Sequence, residues 1–103
     1  MTTALLTDHY ELTMVQAAMD AGTSGRRSLF DMFTRRLPEG RRYGVNAGLG
    51  RALEAIEDFR FDHATLQFLL DQGIIRDNLA EWLAGYRFNG DIWGYPEGET
   101  YFP

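Results

Sequence analysis

The chain has 103 residues, a length that suits one small domain with room for a packed core, and 45% of its residues are hydrophobic, which argues against disorder. Its net charge of −5 disfavours a nucleic-acid binder, and the absence of cysteine removes disulfides, thiolate metal sites and thiol nucleophiles together. All ten basic residues are arginine, and six of them fall between Arg26 and Arg42, a local cluster suited to a small phosphate or an acidic surface.

The first element is a helix that starts at Thr7-Asp8. Both are N-cap residue types, and Glu11 stands three positions after Asp8, the spacing of a capping box. Leu12, Met14, Val15, Ala18 and Met19 continue at helical spacing to Gly22, a C-terminal stop. His9 and Tyr10 fall in the first turn, where free N–H groups and the positive end of the helix dipole favour an anion. An aromatic face there suits a flat, negatively charged ligand; the alternative is ordinary amphipathic packing of Tyr10. His9 has no second ligand-type residue at metal spacing.

After a loop at Thr23-Ser24-Gly25, the alternation in 28–36 predicts a strand that ends at Leu37-Pro38. Arg35 and Arg36 then emerge at a strand end beside the exposed turn Glu39-Gly40-Arg41-Arg42, placed for bidentate phosphate contacts or for a solvated, charge-rich loop. From Val45 the pattern becomes helical, with Leu49, Ala52, Leu53 and Ile56 on one stripe and Asn46, Gly48 and Gly50 loosening the first turn. Asp62 caps a second helix that stops at Gly73, and a third runs from Asp77 or Asn78 through Tyr86. Short connections predict that these three helices form one layer. Asp91 to Tyr95 reads as a strand, Tyr95-Pro96-Glu97-Gly98 as a type I turn, and Thr100-Tyr101-Phe102 as the start of a further strand whose partner is not evident. The whole, 1–103, reads as a single α+β unit. It has no nucleophile elbow, Walker loop, metal spacing or dinucleotide fingerprint.

Three blocks carry a resemblance. Ala4 through Met14, the run Phe30-Asp31-Met32-Phe33-Thr34-Arg35-Arg36-Leu37-Pro38 followed by Ala47-Gly48-Leu49, and Pro96-Glu97-Gly98 with Phe102-Pro103 together resemble the N-terminal portion of nicotinate phosphoribosyltransferases. The resemblance implies the N-terminal domain of a type II phosphoribosyltransferase, with the catalytic α/β barrel outside these residues. It implies an enzyme of pyridine-nucleotide salvage that joins nicotinate to 5-phosphoribosyl 1-pyrophosphate, with ATP hydrolysis coupled through a phosphohistidine, and with Mg2+ and ATP serving the full-length enzyme rather than this portion. Neither His9 nor His63 matches the phosphohistidine context. The resemblance assigns Tyr10 to stacking on nicotinate, in trans across a homodimer, places Arg35 and its neighbour Arg36 near the phosphates, and leaves Asp8 as support for the tyrosine's helix. It also implies a cytoplasmic protein with no nucleic-acid or membrane partner; the sequence start has no signal peptide pattern. The rival expectation is a shortened, non-catalytic paralogue that serves as a dimerisation module.

Overall fold

The computed structural model describes residues 3–103. Among them are four helices and one two-stranded antiparallel sheet, in the order α1 (His9–Asp20), β1 (Gly44–Val45), α2 (Leu49–Glu57), α3 (His63–Asp71), α4 (Asp77–Ala84) and β2 (Thr100–Tyr101).

Helix boundaries follow the capping chemistry. Asp8 is the N-cap of α1 with its capping box in place, and the Glu11 carboxylate accepts from the Asp8 N–H at 3.2 Å and from the Thr7 hydroxyl. At the other end Gly22 takes φ +71°, and the N–H groups of Gly22 and Thr23 donate to the carbonyls of Met19 and Ala18. That is the paired bonding of a Schellman motif, and only glycine enters its left-handed position without strain. The same motif closes α3, where Gly73 and Ile74 donate to Leu70 and Leu69. Asp62 caps α3 by accepting from the Thr65 N–H at 2.8 Å, and the Thr65 hydroxyl first and this N–H second hold the Asp62 carboxyl below the usual carboxylate range.

The core lies between α1, α3 and α4. Leu12, Phe61, Leu66, Leu69, Ile75, Leu79, Ala80 and Leu83 are buried together with Ala4, and Leu69 and Leu79 are sealed completely. Phe59 extends this core through edge-to-face contacts with Phe61 and Tyr86 at 5.5 and 6.2 Å. The three-helix layer therefore contains α1 in place of α2. Helix α2 buries no residue: of its stripe, Ala52 and Leu53 are exposed and Leu49 and Ile56 are half-buried.

The expected strands differ more. No ladder forms in 28–36 or in 91–95: neither has regular structure, the first bends at Arg35, and neither finds a backbone partner among the described residues. Alternation fixes which side chains share a face; only a neighbouring strand makes a ladder. The final strand does have a partner, Gly44–Val45, in the register Gly44 with Tyr101 and Val45 with Thr100. Those two residues had read as the approach to a helix. The turn before β2 is shifted by one residue: Glu99 N–H donates to Pro96 C=O, and Gly98 has φ +83°. A positive φ at the third position belongs to type II, so Pro96 stands first in the turn and not second.

The molecule is elongated, 48 × 26 × 25 Å, with a radius of gyration of 16.7 Å, against about 13 Å for a compact chain of this length. Leu29, Phe30, Met32 and Trp93 are all at least 89% exposed.

Candidate functional site

The first turn of α1 builds an open depression lined by Asp8, His9, Tyr10 and Thr13. Tyr10 is 60% exposed. Its ring is thus free to meet a ligand or a neighbouring surface, and its carbonyl accepts from the Thr13 hydroxyl at 3.0 Å. Asp8 sits beneath it as the helix cap, so its structural role is to fix where α1 begins.

What aims that turn is the other end of the same helix. Only Leu12 and Gln16 of α1 are buried. Gln16 accepts from the Arg76 N–H at 2.8 Å and donates to Asn78 and Asp20 at 3.0 and 3.1 Å. Arg76 closes the ring with an ion pair to Asp20, and this bond above all holds the Asp20 carboxyl below its ordinary range. Sequence reading missed Gln16; a single glutamine on a helix carries no signal until α4 is placed against it.

Arg35 and Arg36 are exposed at a bend in a segment without regular structure and not on a strand end as expected. The rigidity attributed to a ladder is absent. The structure places no contact between these arginines and Tyr10, which lie on separate elements.

A second depression lies at the start of α2, lined by Gly48, Leu49, Gly50, Arg51, Leu53 and Glu97. Here the anion-seeking N–H groups are already taken: the Glu97 carboxylate accepts from Gly48 and Leu49, both at 2.8 Å. The Gly48 N–H, then that of Leu49, holds the Glu97 carboxyl below the usual range. Asn46 ties the same turn from the other side, its side chain donating to Tyr95 C=O at 2.6 Å and its backbone exchanging bonds with Glu99 and Gly98. Asn46 and Gly48, expected to loosen the helix start, instead anchor it. The bond partners stand about fifty residues apart, beyond the reach of local pattern.

A model of the nicotinate phosphoribosyltransferase N-terminal domain matches residues 5–103. The chain belongs to this family. Among curated relatives in Mycobacterium tuberculosis, it is 53% identical to "Nicotinate phosphoribosyltransferase pncB1" over 96% of its own length and 22% of the relative's, and 47% identical to "Nicotinate phosphoribosyltransferase pncB2" over 97% and 21%. The Bacillus subtilis nicotinate phosphoribosyltransferase is 34% identical over 96% of this chain and 20% of its own. No solved structure matches. The chain therefore spans about a fifth of the length of the nicotinate phosphoribosyltransferases it matches.

Among the described residues no helix is long and apolar enough to cross a membrane. Nor, among them, is there a group of three or more His, Asp or Glu residues that could hold a metal ion.

Proposed function

We propose that this chain is the N-terminal, substrate-delivering portion of a nicotinate phosphoribosyltransferase in pyridine-nucleotide biosynthesis, adopting the N-terminal fold of the type II phosphoribosyltransferases. The observation that carries the proposal is the 53% identity over nearly the whole chain, together with the exposed aromatic ring at the first turn of α1. In the reaction the pyridine nitrogen of nicotinate bonds to C1 of the phosphoribosyl group as the C1–oxygen bond to pyrophosphate breaks, so a flat anionic base must be held against a highly charged donor.

Tyr10 serves the base. Stacking of its ring on the pyridine contributes about 0.5–1.5 kcal/mol beyond the area it covers, and it restricts the base to a plane before bond formation. The ring reaches the reacting groups from the neighbouring subunit of a homodimer, which its exposure supports. Arg35 serves the donor: a guanidinium fork matches phosphate oxygens in a way a point charge does not, and it stabilises charge gathering on departing pyrophosphate. Arg36 is its neighbour in the same role, and Asp8 supports Tyr10 by fixing the helix start. ATP and Mg2+ act in the longer cytoplasmic enzyme, outside these residues.

The test is Tyr10→Ala in the full-length enzyme. The KM for nicotinate rises by about three- to tenfold, the equivalent of the stacking contact, with far-UV circular dichroism unchanged. An unaltered KM removes the stacking role. Mixing Tyr10→Ala subunits with subunits inactivated in the barrel restores activity when the ring acts in trans; no recovery in verified mixed dimers places it within its own subunit.

A further inference from the structure

Segment 27–37 carries Arg35 yet has almost nothing to hold it. Within it, among the described residues, one hydrogen bond reaches the rest of the fold: the Thr34 hydroxyl and the Tyr101 hydroxyl share a bond of 2.8 Å. Thr34 is also half-buried while Met32, Phe33, Arg35 and Arg36 on either side are exposed.

Tyr101 is itself held firmly. It belongs to β2, paired with Gly44, and its ring lies so close over Gly44 that a Cβ there would stand 2.3 Å from the ring's Cζ. On another side it stacks on Tyr95, with ring centroids 6.5 Å apart and planes 6° from parallel. Tyr95 in turn stands just before the turn and is tied down by Asn46 through its carbonyl. The phenol is thus fixed by a backbone ladder, a neighbouring ring and a glycine that makes room for it. Its hydroxyl reaches the arginine segment at Thr34.

We propose that Tyr101 is a positioning residue for Arg35, its hydroxyl fixing Thr34 and thereby the place where the next side chain meets the phosphates of the donor; the proposal rests on the reading of Arg35 as a phosphate contact. Tyr101 touches no substrate. It converts a segment that has no ladder into one that is tethered next to the charged residue, so less conformational freedom is lost when the arginine binds. Gly44 belongs to the same device, because any side chain there displaces the ring.

Two near-isosteric variants isolate the bond. Tyr101→Phe removes one hydroxyl and leaves the ring on Gly44; Thr34→Val removes the other. In a chimera carrying these 103 residues in place of the matching stretch of the 53% identical enzyme, each raises the KM for phosphoribosyl pyrophosphate and lowers its kcat/KM by about three- to tenfold, as the loss of one hydrogen bond requires. The nicotinate KM stays unchanged. The double variant is no worse than either single, and Gly44→Ala reproduces the effect through the intact hydroxyl. A merely structural role would move both substrates' constants together or neither. In the same chimera, nuclear magnetic resonance order parameters for the backbone amides of residues 29–36 fall below about 0.6 in both single variants while α3 and α4 keep theirs. The two failures separate cleanly. If Arg35→Ala leaves the donor KM unchanged, the phosphate reading falls and this inference with it; if Arg35→Ala raises it but Tyr101→Phe does not, or the order parameters hold, the tether alone is refuted.

Discussion

Replacing Gln16 with leucine tests how α1, and with it Tyr10, is aimed. Gln16 is 6% exposed, and its amide oxygen is the acceptor for the Arg76 N–H just before α4. Leucine fills much the same space and removes that acceptor along with the two donated bonds to Asp20 and Asn78. The two side-chain partners are exposed enough to turn to water, so the orphaned backbone N–H dominates, at about 1–3 kcal/mol. That translates into a lowering of Tm by about 4–8 °C per kcal/mol for a domain of this size. Urea unfolding followed by far-UV circular dichroism measures it directly. Gln16→Glu is the companion variant: it retains an acceptor for Arg76 but sets a carboxylate against Asp20, so its penalty shrinks as pH falls through the carboxylate range and the repulsion is relieved. A loss below about 0.5 kcal/mol for the leucine variant, or a pH-independent penalty for the glutamate one, refutes the view that this network orients α1.

Two further outcomes follow from burial and from charge. Leu79→Ala, at a side chain with no exposure, destabilises the helical core by about 2–5 kcal/mol, whereas Leu53→Ala on the uncovered face of α2 stays within about 0.5 kcal/mol; equal losses in chemical denaturation would show that α2 is packed after all. The Glu97 clamp is acid-labile with a defined sign: its carboxyl lies below the ordinary range in the fold, so its stabilisation is complete at and above that range and is lost as pH falls through the lowered value. Amide resonances of Gly48 and Leu49 report that loss, and a Glu97→Gln chain whose amides titrate just as the parent's do would discount the clamp.

What could be read from sequence was whatever is encoded within one turn. Asp8 with Glu11, Asp62, Gly22 and Gly73 mark helix ends through bonds to residues three to five positions away, so α1 and α3 were legible to within a residue or two, while α4 was legible from its apolar spacing. The strands were not, because Phe30, Met32 and Thr34 alternate correctly without a neighbour to bond, and Gly44–Val45 is too short to show any period. The candidate site divides along the same line. Tyr10 was visible from its place after the cap, while Tyr101, Asn46 and Glu97 act across about fifty to seventy residues of sequence. Pro96-Glu97-Gly98 stood out only as a family block; its physical reason, a carboxylate closing the start of α2, needed coordinates.

The bareness of Leu29, Phe30, Met32 and Trp93 has a practical consequence for anyone handling the chain. Exposed apolar side chains on segments that have no ladder partner are a seed for cross-chain strand pairing. Preparations of these 103 residues are therefore set to become turbid as they are concentrated, to light up hydrophobic dyes while the helical half is still fully native, and to be gripped by chaperones on expression, even though every helix has formed correctly.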